Sequence, residues 1–331
     1  MLDSIGRKID CLRISITDRC NLRCIYCMPD SGIVLKPYKE ILRFEEIKEI
    51  VKVFISLGIN KIKITGGEPF IRKGIIEFIK SITALKGLAD VSITTNGIML
   101  KEYAARLKNA GIKRINVSLD TLDEKKFKNI TRSRDSLSSV FDGLYEAGKL
   151  GFSPIRINTV VIRGINDDEI MDFVRMSIKH SFEVRFIEYM ATNNSIGWSK
   201  DKFVSNDEIK VKLSSIGTLY PVENNTGSGP AEYFKVRIPG KTGYDGIGKI
   251  GFISPVSSSF CRRCNRLRLT ADGKLKLCLH SSNDIDLKTS LREKASFNEL
   301  KNIIISGVKS KPESGFPNSC NSGNIMSQIG G

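Results

Sequence analysis

Apolar positions recur at two periods along the first 190 residues of the chain, and the two periods take turns. Every second residue is apolar at Leu12, Ile14 and Ile16, and short β-branched runs follow at Lys61 to Thr65, Val91 to Thr95, Arg114 to Leu119, Ile155 to Ile162 and Glu183 to Ile187. These are the marks of strands. Between them, Phe44 to Leu57, Ile75 to Leu85 and the stretches 100–110, 136–150 and 167–179 carry apolar residues at helical spacing. Strand-then-helix alternation predicts an α/β fold whose parallel sheet curves into a barrel. About six such units are present, fewer than the eight of a closed barrel, so the expectation is a partial, incomplete TIM-type barrel. Gly66, Gly67, Asn96, Gly97, Asp120 and Glu188 all follow predicted strands, at the C-terminal rim where such folds place their active sites.

Beyond residue 191 the alternation stops. Asn193 to Gly248 is rich in Gly, Asn, Ser and Pro around one helical stretch near 206–215, and reads as a crossing segment toward a second unit. We therefore expect a barrel domain over residues 1–225 and a C-terminal region over 226–331, the latter holding a second cysteine group, another helix and a weakly patterned tail from Lys309.

Composition narrows the class. A chain of 331 residues suggests about two domains or one large unit with an extension, and 40% hydrophobic with 27% charged residues fits a globular protein. No apolar run approaches a membrane span, and Asp3, Arg7, Lys8 and Asp10 break up any leader-like stretch; the expectation is a cytoplasmic protein without a membrane partner. The formal charge of +16 favours anionic ligands without choosing among them. Only His180 and His280 are present, which leaves little for histidine-rich metal centres or a Ser/His/Asp triad. Eight cysteines in such a chain point to metal or redox chemistry rather than disulfides.

Cys20, Cys24 and Cys27 sit on the loop after the first strand, in the run Thr17-Asp18-Arg19-Cys20-Asn21-Leu22-Arg23-Cys24-Ile25-Tyr26-Cys27. Three thiolates at these spacings can wrap one face of a compact cluster, and an iron–sulfur cluster with three protein ligands keeps one iron open. A zinc site completed from elsewhere, or plain buried thiols, is the alternative reading. Cys261, Cys264 and Cys278 form a second group, for which spacing alone favours zinc completed by His280 or Cys320. Arg266 and Arg268 follow it at strand spacing and put two guanidinium forks on one face, a geometry suited to phosphate as well as to a solvated surface.

The CxxxCxxC motif with its aromatic Tyr26, together with Gly66-Gly67-Glu68-Pro69 after the next strand, resembles the radical S-adenosylmethionine superfamily. The resemblance implies a [4Fe-4S] cluster on Cys20, Cys24 and Cys27 and bound S-adenosylmethionine. Further runs narrow it: Leu12 to Cys20, Thr94-Thr95-Asn96-Gly97, Ile115 to Asp120, Gly164-Ile165-Asn166-Asp167, Arg185 to Met190, the second cysteine group and the terminal Gly330-Gly331. Across almost the whole chain the sequence is similar to the GTP 3′,8-cyclase family of molybdenum cofactor biosynthesis. That resemblance implies a lyase converting GTP to (8S)-3′,8-cyclo-7,8-dihydroguanosine 5′-triphosphate. It implies a second [4Fe-4S] cluster on Cys261, Cys264 and Cys278, S-adenosylmethionine contacts at Tyr26, Gly67, Ser118 and Met190, and GTP contacts at Arg13, Lys63, Thr94, Arg156, Arg266, Leu267 and Arg268. It further implies that Gly330 and Gly331 insert into the barrel and serve catalysis, that a one-electron donor is external, and that a cyclic pyranopterin synthase takes the product. Nucleic acid is not an expected partner, and a dimer is one oligomeric option. Another radical enzyme acting on a peptide or tRNA, or a zinc protein binding nucleic acid, are the competing functions.

Overall fold

The structure, a computed structural model, describes residues 1–191, 198–222, 229–239, 246–281, 283–315 and 326–330. Its first part runs β1 (Cys11–Ser15), α1 (Phe44–Ser56), β2 (Lys61–Thr65), α2 (Ile75–Thr83), β3 (Asp90–Thr95), α3 (Leu100–Asn109), β4 (Arg114–Ser118), α4 (Glu124–Thr131), α5 (Leu137–Lys149), β5 (Ile155–Val161), α6 (Ile170–His180) and β6 (Glu183–Glu188). The remainder runs α7 (Asn206–Ser214), β7 (Thr218–Val222), β8 (Glu232–Arg237), β9 (Ile247–Ile253), β10 (Arg266–Leu269), β11 (Lys274–Lys276), β12 (Asp284–Asp286), α8 (Leu287–Arg292), α9 (Phe297–Lys309) and the short α10 (Met326–Ile329).

Six βα-type units match the expected number, and the sheet is open, as a partial barrel requires. Its order is β12-β11-β10-β1-β2-β3-β4-β5-β6-β9-β8-β7. The neighbours from β10 through β1–β6 to β9 all pair in parallel, while β11–β12 and β8–β7 extend the two sides antiparallel. The chain after residue 191 thus extends both edges of the existing sheet: β9 docks on β6 and β10 on β1. The composition of that stretch hid this. Gly248 lies inside β9 because a Cβ there would come within 2.2 Å of Ser177 Oγ on α6.

Strand alternation separates two environments. On β5, Ile155, Ile157, Thr159 and Val161 are buried under the helices, and Arg156, Asn158 and Val160 face the other way. Leu12 and Ile14, Ile62 and Ile64, and Leu267 and Leu269 join the same outer core, which α1 meets with Ile47, Ile50, Val51 and Phe54 at three- and four-residue spacing. A closed TIM barrel fills its interior with branched apolar layers. Here the inward positions are Arg13, Lys63, Thr94, Asn116, Asn158, Arg185, Arg266 and Arg268, which line a cavity of about 310 Å³.

Candidate functional site

Both cysteine groups open on this one cavity. Cys20, Cys24 and Cys27 line it from the β1 loop, and Cys261, Cys264 and Cys278 line it from the β10 side. None of the six is joined in a disulfide among the described residues.

The first loop is pinned by backbone bonds. Arg23 N donates to Thr131 O at 2.8 Å and Ile25 N to Ile130 O at 2.9 Å, tying the loop to the end of α4, and Leu22 N donates to Cys20 Sγ at 3.4 Å. Gly67 crosses beneath it so closely that a Cβ would lie 2.2 Å from Arg19 O, a backbone atom that cannot yield. Glu68 then turns inward and accepts from Asn96 N (2.8 Å), Thr95 Oγ1 (2.9 Å) and Phe70 N (3.2 Å). Burial outweighs these three donors and pushes its carboxyl up to about 7. Asn96 Nδ2 reaches Asn21 Oδ1 at 2.8 Å, so the β3 rim braces the cysteine loop. Tyr26 donates to Asp120 Oδ2 at 2.6 Å, and Val160 N donates to Asp120 Oδ1 at 2.8 Å; burial raises Asp120 to about 6 and the Cys20 thiol to about 11.

The opposite wall is cationic. Strand register sets Arg268, Arg13 and Lys63 side by side on β10, β1 and β2. Arg185 joins from β6, where its Nη2 donates to Asn116 Oδ1 at 2.6 Å. Among the described residues, the buried Nε atoms of Arg13 and Arg185 have no hydrogen-bond partner. Burial, with neighbouring arginines adding to it, pulls Lys63 down to about 7 and Arg268 to about 10. Burial and the Arg156 charge bring Arg185 to about 10. At Cys264 burial alone would raise the thiol, yet the Arg266 and Lys311 charges bring it down to about 7. Orphaned buried donors and mutually repelling cations leave this wall suited to a polyanion.

Tyr26, Gly67, Ser118, Met190, Arg13, Lys63, Thr94, Arg266 and Arg268 all line the cavity. Arg156 and Leu267 do not. Arg156 shares the inward face of β5 and pairs in register with Asn116, but its Nε is engaged by Glu183 Oε2 at 2.6 Å. Leu267 is fully buried on the helix-facing side of β10. Gly330 reaches the site, its carbonyl accepting from Arg268 Nη1 at 2.7 Å. Gly331 and Cys320 lie outside the described residues. Residues not singled out from sequence also line the wall: Arg185, Asn116, Asn158 and Gly315. Arg185 carried a signal, an arginine at an inward β6 position; Gly315 carried none.

The family model described as "Radical SAM superfamily" matches residues 14–177, and that described as "Molybdenum Cofactor Synthesis C" matches residues 182–316. A GTP 3′,8-cyclase of Thermodesulfovibrio yellowstonii is 50% identical over 333 aligned residues covering all of both chains. One from Peptoclostridium acidaminophilum is 47% identical over 313 residues, 94% of this chain and 92% of its own. Among solved structures, Streptococcus suis SuiB bound to S-adenosylmethionine shares the fold, with a TM-score of 0.61 at 15% identity, over 92% of this chain and 68% of its own. Fold and matches define a radical S-adenosylmethionine protein, a class that implies a [4Fe-4S] cluster and S-adenosylmethionine. With half its residues identical to a relative along the full length, the chain belongs to the GTP 3′,8-cyclase family. No helix among the described residues is long and apolar enough to cross a membrane.

Proposed function

We propose that the chain is a radical cyclase that converts GTP to (8S)-3′,8-cyclo-7,8-dihydroguanosine 5′-triphosphate, an early step toward the molybdenum cofactor. The observation that carries this reading is the single cavity with a thiol triad on each side and a cationic wall formed by β10, β1, β2 and β6.

The donor sets fit the groups the family implies. Cys20, Cys24 and Cys27 would hold a [4Fe-4S] cluster with one iron left for S-adenosylmethionine, and Cys261, Cys264 and Cys278 would hold a second one with one iron free of protein ligands. A cluster bound there would supply the one electron that cleaves S-adenosylmethionine to methionine and a 5′-deoxyadenosyl radical, the species that abstraction of the ribose 3′ hydrogen requires. The protein's own residues do the rest. Gly67 and Ser118, with Tyr26 and Met190, border the space between the first triad and the β4–β6 rim and orient S-adenosylmethionine there. Asp120 holds Tyr26 by its 2.6 Å hydrogen bond. Arg13, Lys63, Arg185, Arg266 and Arg268 take the triphosphate, satisfying the orphaned guanidinium donors. This fixes the guanosine between the triads, where a misplacement of about 1 Å can cost on the order of a hundredfold in rate. Thr94 lies on the same wall. The reducing electron comes from an external donor, and the product passes to a cyclic pyranopterin synthase.

Anaerobic incubation with GTP, S-adenosylmethionine and a reductant, followed by mass analysis of the products, tests the assignment. The cyclised triphosphate should appear together with 5′-deoxyadenosine. Deoxyadenosine formed at the same rate without GTP, and no cyclised product, would contradict it.

A further inference from the structure

Arg7 precedes Cys261 by 254 residues and donates Nη1 to its carbonyl at 2.8 Å. The same nitrogen donates to Glu313 O at 3.2 Å, and Nη2 donates to Pro312 O at 2.8 Å and Lys311 O at 3.4 Å. Its Nε and backbone N–H are held by Asp3, at 2.5 Å and 2.8 Å. Arg7 and Asp3 are both buried. The carboxylate neutralises the guanidinium and turns its outer nitrogens toward four peptide carbonyls, a task for a planar fork that a lysine ammonium cannot reproduce. Lys311, also buried, completes the arrangement: its Nζ donates to Arg266 O at 3.1 Å and to Leu277 O. Leu277 is the residue before Cys278, and Arg266 is two beyond Cys264. The backbone beside each cysteine of the second triad is therefore tied to Arg7 or Lys311.

The segment so anchored ends at Gly315, which is buried against the triad. Its N–H donates to Cys261 Sγ at 3.3 Å. A Cβ at this position would lie 2.6 Å from Cys278 Sγ and 3.7 Å from Cys261 Sγ. A free thiol can rotate away from an added methyl at little cost. A thiolate held by a metal group cannot, because the bond fixes the sulfur.

We propose that Arg7, Lys311 and Gly315 form a positioning assembly for the second triad: the two cations hold the 311–315 segment, and the Gly315 backbone bonds one ligand sulfur while leaving room for another. This rests on the reading of Cys261, Cys264 and Cys278 as a second [4Fe-4S] site. Hydrogen bonds to ligand sulfurs tune cluster potentials, so the assembly acts on the electronic state of that cluster as well as on its retention.

The test uses two backgrounds of the full chain, Cys24→Ala to leave only the second cluster and Cys264→Ala to leave only the first. Gly315→Ala and Arg7→Lys are introduced into each, and iron content, the electron paramagnetic resonance spectrum of the reduced protein and the melting midpoint of the apo protein are measured after anaerobic reconstitution. In the Cys24→Ala background we expect iron to fall from about four per chain to about one or fewer, with an altered spectrum for what remains. In the Cys264→Ala background iron should stay at about four, with the apo midpoint unchanged by Gly315→Ala. Equal loss in both backgrounds, or full loading with an unchanged spectrum in the first, overturns the proposal. If Arg7→Lys does not fold, Gly315→Ala carries the test. A Cys24→Ala protein that takes up no iron with Gly315 intact would instead refute the second-cluster reading, and this inference with it.

Discussion

The Arg268 guanidinium donates to the carbonyl of Gly330 across 2.7 Å, so the end of the described chain is fastened to the cationic wall. Gly330 has φ +77, and a Cβ there would come within 2.6 Å of Thr65 Cγ2 on β2; both conformation and space call for glycine. A chain ending at Ile329 should keep its iron and bind GTP nearly as well, yet form product on the order of a hundredfold more slowly. Iron assay, calorimetry and turnover measured together check this, and unchanged turnover would reduce the tail to a bystander.

Arg266→Ala removes a charge-assisted donor without adding repulsion, a loss of about 1.5–3 kcal/mol. GTP affinity should fall roughly ten- to a hundredfold while S-adenosylmethionine affinity stays near its original value. Titration calorimetry with each ligand separates the two effects.

On the proposed reading, Lys63 would connect GTP binding to pH. Burial, and the arginines around it, bring its ammonium down to about 7, so above neutrality the free protein carries it increasingly neutral. A triphosphate favours the charged form, and binding must then take up a proton. Affinity should therefore weaken as pH rises from about 7 toward 9. Lys63→Arg, with a guanidinium that stays charged, should flatten the dependence. Calorimetry in buffers of different ionisation enthalpy counts the protons directly; no uptake at pH 8 in the wild-type protein would refute the coupling.

Glu183 ties the lower rim of the barrel, accepting from Arg156 Nε at 2.6 Å and Lys249 Nζ at 2.5 Å. Burial opposes its ionisation, but the Arg156 and Lys249 charges win and hold its carboxyl below 4.5. A carboxylate whose folded value is depressed stabilises the protein above its unfolded value, and that contribution is lost as pH falls through the folded value. Glu183→Gln should thus cost on the order of 2 kcal/mol at pH 7 and progressively less below about pH 4.5. Denaturant unfolding at several pH values is the measurement, and a pH-independent difference would rule this origin out.

How much of this was legible in the sequence depends on range. The β1 to β6 units were readable because Leu12, Ile14 and Ile16, and the runs after them, encode their burial locally. β9 was not, since Gly248 and Gly251 are there for close packing against Ser177 and Arg185, and glycine in isolation reads as loop. The two cysteine groups were visible as spacings, but their sharing of one cavity comes from β10 pairing with β1, in the register Arg13 with Arg268. Arg156 shows the converse. Its residue type suited a phosphate contact, whereas its guanidinium is engaged by Glu183, a neighbour on β6 that strand pairing supplies and local sequence does not report.

The cavity's central claim is that the ribose of GTP lies within reach of the radical formed beside the first triad. Turnover of GTP deuterated at the ribose 3′ position, with mass analysis of the 5′-deoxyadenosine released, tests it most directly. The geometry predicts that the deuterium moves into 5′-deoxyadenosine in step with cyclised product; unlabelled 5′-deoxyadenosine accompanying that product would contradict it.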